Sequence, residues 1–126
     1  EAITGAEPIT GSTRMKSGTA QKMILNMLST ASMVKMGKVY QNLLVDMQPT
    51  NVKLFKRAQR IIMDAAGVSE SVADAALKKY KTIKKTVIAL LTNIEDDAKI
   101  DDLLTNARGN IHQALKDANY DETCRN

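Results

Sequence analysis

From about Arg14 to Lys38, Ala20, Met23, Ile24, Met27, Leu28, Ala31 and Val34 recur at steps of three and four. That is the spacing of one helix face, so the pattern predicts a long helix that Gly37 can stop. Residues 39–47, VYQNLLVDM, begin with a β-branched and an aromatic residue and alternate loosely at Leu43, Val45 and Met47, which predicts one short extended segment. Gln48 and Pro49 break the chain, and Thr50 or Asn51 can cap a second helix. Its stripe is Leu54, Phe55, Ala58, Ile61, Ile62 and Ala65, and Gly67 ends it.

Beyond Gly67 the apolar positions come in shorter bursts. Ser69 can cap a helix carrying Ala73, Ala76, Leu77 and Tyr80, and another follows with Ile83, Val87, Leu90 and Leu91. A second pair carries Ile100, Leu103, Leu104 and Ala107, then Ile111, Ala114 and Leu115 after Gly109. Ala76-Leu77 corresponds to Leu103-Leu104 at an offset of 27, and Ile83, Thr86 and Val87 correspond to Ile111, Ala114 and Leu115 at 28. The repeat reads as two small helical hairpins, each burying its stripe against its neighbours. Residues 1–13 read as loop, and Asn119 to Asn126 as a frayed end.

The fold class that follows is mainly α. A length of 126 residues allows one or two small units, and 44% hydrophobic with 25% charged residues is ordinary for a soluble globular chain. No uncharged apolar run is long enough to span a bilayer, which argues against a membrane protein. Aromatics are only 3%, a balance that favours helices over sheets. Cys124 is the single cysteine, so no disulfide framework can form within the chain, and a reducing compartment fits. The start at Glu1, with no signal-peptide pattern, reads as a cut or processed end. The net charge of +4 divides into +8 over residues 1–91 and −4 over residues 92–126. A basic stretch can meet nucleic acid, but an acidic stretch directly after it can neutralise it within the molecule, so charge alone makes a weak case for nucleic acid.

The chemistry concentrates in residues 5–22, GAEPITGSTRMKSGTAQK. A Gly, Ser and Thr loop runs into a helix with Arg14 and Lys16 at its entry. Free backbone N–H groups and the positive dipole end attract an anion there, and a phosphate suits the hydroxyls and cations. The same residues also suit a plainer role, in which Ser12 or Thr13 caps the helix and the cations face solvent.

The stretch ITGSTRMKSGTAQK resembles the signature shared by N-acetylmuramic acid 6-phosphate etherases and glucokinase regulatory proteins, built on the sugar isomerase fold. KMILNMLSTASMVKMGKVYQNLLVDMQPTN is similar to the etherase pattern downstream of it, and LLVDMQPTN favours the bacterial etherase over the animal regulator. The paired helices from Val68 onward resemble the ubiquitin-associated-like C-terminal region of the etherases. Ala6 and Pro8 depart from the family's usual residues just before Ile9.

The resemblance implies that residues 1–50 are the C-terminal end of a sugar isomerase domain, an α/β fold, and that residues 51–126 are a helical region of two repeated hairpins. It implies a cytoplasmic homodimer acting on a phosphorylated amino sugar without metal or organic cofactor. The reaction splits the D-lactyl ether of N-acetylmuramic acid 6-phosphate into N-acetylglucosamine 6-phosphate and D-lactate, a carbon–oxygen lyase step in cell-wall recycling. The candidate substrate-binding residues are Glu7, Thr10, Ser12, Thr13, Arg14 and Lys16. No catalytic residue is assigned, because the family's glutamates belong to its N-terminal half, expected to precede Glu1.

Other constellations say less. Lys78, Lys79, Lys81, Lys84 and Lys85 form a cluster that fits a solvated face or pairing with Glu95, Asp96 and Asp97. His112 has no second His or Cys near it in sequence, so no metal site is expected. The methionines fit core filling. Two other function classes stay open, a sugar-phosphate-binding regulatory protein and a stand-alone helical module that binds a protein partner.

Overall fold

The computed structural model describes residues 1–120; Cys124 lies outside them. Among the described residues there are six helices and one two-stranded sheet, as the mainly α reading requires. The chain divides into two compact units, residues 1–35 and residues from Met36 onward.

The first unit is the loop of residues 1–15 and the helix α1, Lys16–Lys35. No residue of α1 is buried. Met23, Met27 and Leu28 of the predicted stripe are each more than half exposed, so the stripe is present but uncovered. A two-layer fold needs a second apolar surface, and a loop rich in Gly, Ser and Thr offers none.

The second unit opens on a hairpin, β1 Val39–Tyr40 and β2 Leu43–Leu44, paired antiparallel with Val39 opposite Leu44 and Tyr40 opposite Leu43. One extended segment was expected across 39–47. The chain instead reverses at Gln41 and Asn42, with Gln41 at φ 53°, and the ladder stops after Leu44. Beyond the paired residues the Val45 N–H still donates to the Lys38 carbonyl at 3.1 Å; Val45 is buried in the core, and the Asp46 carboxylate turns to Lys38 and Lys84. Gly37 enters this unit at φ 68°, and a Cβ there would lie 2.8 Å from the Asn110 Cα, a close approach only glycine permits.

The remaining helices are α2 Val52–Ala66, α3 Glu70–Tyr80, α4 Ile83–Thr92, α5 Asp97–Asn106 and α6 Ile111–Asp117. Asn51 caps α2 through Oδ1, accepting from the Leu54 N–H at 2.9 Å, and Gly67 closes it in the left-handed conformation. Ser69 precedes α3 without a side-chain cap bond; its Oγ meets the Ser71 Oγ at 3.1 Å instead. Thr82 and Asn110, 28 residues apart, cap α4 and α6 in the same way. Ile83, Thr86 and Val87 are buried, and so are Ile111, Ala114 and Leu115. The offset changes from 27 to 28 because the turn between α5 and α6 is longer than that between α3 and α4. Of the end expected to fray from Asn119 to Asn126, residues 121–126 lie outside the described residues, and the Tyr120 N–H donates to the Leu115 carbonyl at 2.9 Å.

α4 is the hub. Its sequence IKKTVIALLT buries Ile83, Thr86, Val87, Ile88, Ala89 and Leu91, and it packs against α2, α3, α5 and α6. A helix this apolar on most sides cannot stand in water and must be enclosed. Ile88 is fully buried. Ile88→Ala removes those contacts and leaves a cavity, and we expect a loss of about 2–5 kcal/mol in urea-induced unfolding; a loss of a few tenths would mean that the hub is misplaced.

Candidate functional site

The loop before α1 is organised by one carboxylate. The two oxygens of Glu7 accept the Lys16 N–H at 3.0 Å and the Ser17 N–H at 2.9 Å. The next two amides are also engaged, Gly18 N–H with the Thr13 carbonyl at 2.8 Å and Thr19 N–H with the Met15 carbonyl at 3.3 Å. The first turn of α1 thus has its amides satisfied by the chain itself, and the anion position at the helix start is taken by Glu7. The bonds from Ser17 and Lys16 hold the Glu7 carboxyl below the usual glutamate range.

The other signature residues arrange around this cap. The Lys16 ammonium donates to the Ala6 carbonyl at 2.7 Å, closing the loop onto the helix. Ser12 Oγ receives the Arg14 N–H at 3.4 Å, and the Ser12 N–H donates to the Ile9 carbonyl at 3.1 Å, so Ile9 to Ser12 form a turn. Thr4 Oγ1 meets Ser17 Oγ at 3.2 Å. Thr10, Thr13 and Arg14 are exposed. The six candidates therefore sort into two groups: Glu7, Ser12 and Lys16 bond to the local backbone, while Thr10, Thr13 and Arg14 present polar groups to solvent. Glu7 is engaged by two amides, an arrangement that suits a positioning group rather than an acid or base.

In the second unit the stretch LLVDMQPTN has a physical centre that the sequence reading did not single out. Asp46 pairs with Lys38 at 3.1 Å and with Lys84 at 3.0 Å, and the Lys84 ammonium also donates to the Gly109 carbonyl at 2.9 Å. One carboxylate thus ties the hairpin to α4, and through Lys84 to the turn before α6. Burial pushes the Asp46 carboxyl up, and the hydrogen bonds and charges of Lys84 and Lys38 more than offset it, holding it below the ordinary range. The available clue was that Asp46 is the only acid between Glu7 and Asp64.

The lysine cluster is mostly paired. Lys85 reaches Asp101 at 2.7 Å and Asp97 at 3.1 Å, Lys78 reaches Asp74 at 2.7 Å, and Lys79 lies 5.0 Å from the Tyr80 ring. Of the three acids expected to pair, only Asp97 does so at ion-pair distance; Asp96 instead caps α5, its Oδ1 accepting the Ala98 N–H at 3.0 Å. His112 packs against Tyr40 with ring centroids 4.8 Å apart and the planes tilted by 44°, and its Nε2 accepts the Gln41 N–H at 3.5 Å. Among the described residues no cluster of His, Cys, Asp or Glu could hold a metal ion, and no helix is long and apolar enough to cross a membrane.

Residues 41–110, from the hairpin turn to the cap of α6, match the family described as the C-terminal lid domain of glucokinase regulatory protein. The chain belongs to that lid-domain family. The lid domain and its preceding unit are also similar to curated proteins named N-acetylmuramic acid 6-phosphate etherase. One from Lactobacillus johnsonii is 54% identical over 115 residues, which cover 91% of this chain and 39% of the relative. One from Yersinia pestis strain Pestoides F is 53% identical over 102 residues, 80% of this chain and 35% of the relative. The resemblance read from the signature is borne out by these relatives, and the lid-domain chain spans well under half of their length.

The Glu7 cap can be read by titration. Its carboxyl is depressed, so the stabilisation it gives α1 is present above the unfolded glutamate value of about 4.3 and disappears as pH falls through the lower folded value. We expect the Lys16 and Ser17 amide resonances to titrate together with a midpoint below about 4.3, and Glu7→Gln to abolish that titration. A midpoint at or above the ordinary value would mean that the carboxylate does not hold these amides.

Proposed function

We propose that this chain is the C-terminal part of an N-acetylmuramic acid 6-phosphate etherase, a carbon–oxygen lyase of the cytoplasm. Residues 1–50 close a sugar isomerase domain, and residues 51–126 form the helical region attached to it. The observation that carries the reading is the 54% identity over 91% of the chain to a relative of that name.

The substrate in this reading is a phosphorylated amino sugar. Arg14, Thr10 and Thr13 contact its phosphate directly, since their side chains reach solvent. Ser12, Lys16 and Glu7 hold the loop in shape, Glu7 by filling the helix start that a free phosphate would otherwise seek. Fixing the loop before substrate arrives lowers the ordering cost of binding. The reaction removes a proton beside the carbonyl of the open-chain sugar and breaks the carbon–oxygen bond to lactate. The lactate oxygen takes a proton from an acid, and water then adds to the unsaturated sugar. That sequence needs a base and an acid, and Glu7 is committed to two amides. We therefore assign neither role to this chain, and place both in the portion of the etherases that it does not match.

The decisive assay is D-lactate release by the 126-residue chain beside a full-length relative. We expect none from the chain alone, and Arg14→Ala at the matching position of the full-length enzyme to raise KM by about 10- to 100-fold, the cost of a charge-assisted contact. Turnover by the chain alone would contradict the assignment, and an unaffected KM would return Arg14 to solvent. The lid-domain match also favours a second reading, a protein that binds a sugar phosphate without cleaving it; a full-length protein that binds the sugar phosphate but releases no lactate would support it.

We also propose homodimerisation. In the isolated chain the open stripe of α1 hides by self-association, and we expect sedimentation to report an oligomer, with a compact monomer at high concentration as the contrary result.

A further inference from the structure

α2 carries a feature that the sugar-phosphate reading leaves unused. Its outer face presents Lys53, Lys56, Arg57 and Arg60, all exposed, at steps of three, four and seven. They form one stripe about 10 Å long, from the rise per residue of an α-helix. Among the described residues none of the four takes part in an ion pair, whereas Lys38, Lys78, Lys84 and Lys85 all do. Asp64 is the only acid in α2, and the first turn contains none.

This arrangement works against the helix that bears it. Lys53 and Arg57, and likewise Lys56 and Arg60, are like-charged neighbours one turn apart, and Lys53 sits in the first turn, where the helix dipole disfavours a cation. The chain has acids to spare, but Asp96, Asp97, Asp101 and Asp102 belong to α5 or its cap, and α5 packs on α4 and α6. α3 carries both signs and pairs Asp74 with its own Lys78, and Asp64 follows Arg60 by one turn on α2 without coming to ion-pair distance of it. A stripe that repels itself and makes no ion pair among the described residues is relieved by an external row of negative charge.

We propose that the outer face of α2 docks a separate acidic protein through a helix that presents carboxylates at the same one-turn spacing. Two helices match in that repeat, so each cation can meet a carboxylate without distortion, and Arg57 and Arg60 can take theirs in bidentate fashion. A membrane fits poorly, because the apolar side of α2, with Ala58, Ile61, Ile62 and Ala65, is buried in the core and cannot enter lipid. A nucleic acid fits less well than a protein, because Tyr40 and Tyr80 are buried and the stripe carries no aromatic on which bases could stack.

The test uses the full 126-residue chain and a labelled, alanine-based helical peptide with glutamates at i, i+3, i+4 and i+7, read by fluorescence anisotropy at low salt. The stripe variant is Lys53→Gln, Lys56→Gln, Arg57→Gln and Arg60→Gln. The control is Lys22→Gln, Lys35→Gln, Lys99→Gln and Lys116→Gln, which has the same net charge but an intact stripe. We expect the stripe variant to lose about tenfold or more in affinity and the control to stay near wild type. The stripe variant should also melt no lower than wild type, since self-repulsion is removed; if it does not fold, Arg57→Gln with Arg60→Gln is measured in its place. Equal losses in both variants, a scrambled-spacing peptide that binds as well, or no binding at all would overturn the proposal. So would tighter binding to short single-stranded DNA or phosphatidylserine vesicles, or a salt-sensitive self-association abolished by the stripe variant.

Discussion

The enclosure of α4 is the constraint on which the second unit depends. A ten-residue helix is too short to persist alone, and this one is apolar on nearly every side. Four helices surround it, and each contributes its own stripe: Ala58, Ile61 and Ile62 from α2, Ala73 and Leu77 from α3, Ile100 from α5, Ile111 and Leu115 from α6. Polar residues are left to fasten the edges. Asp46, Lys84 and the Gly109 carbonyl lock the hairpin and the last turn onto the hub, and Lys85 with Asp97 and Asp101 joins α4 to α5.

The first unit follows a different logic. No residue of its helix is buried, and the helix start is fastened by the Glu7 cap and the loop bonds of Lys16 and Ser12. A helix start is an anion site, and here the protein supplies the anion. That keeps the signature loop in one shape and leaves Arg14 and the threonines outward. The proposed division of labour, in which some signature residues shape the loop and others touch phosphate, rests on this separation.

Much of the second unit was legible because local rules and burial agree. The stripes of α2 to α6 and the Gly67 stop follow from spacing and capping chemistry, while the choice of Asn51 over Thr50 as the cap of α2 is settled by the geometry. What stayed hidden depended on contacts distant in sequence. The hairpin reversal at Gln41 and Asn42 carries weak turn chemistry and is supported by His112, 71 residues away. The pairing of Asp46 with Lys84 could not be read from a window of either residue. At the signature, sequence supplied the residue types and the idea of an anion at the helix start. Only geometry revealed that Glu7, ten residues before Ser17, is that anion.

The most direct measurement is a crystal structure of a full-length etherase relative with a bound sugar phosphate, read at the positions matching Glu7 and Arg14. We expect the Arg14 guanidinium within about 3 Å of a phosphate oxygen, with the Glu7 carboxylate still on the two helix amides. A phosphate seated on those amides in place of Glu7, or an Arg14 side chain left in solvent, would contradict it.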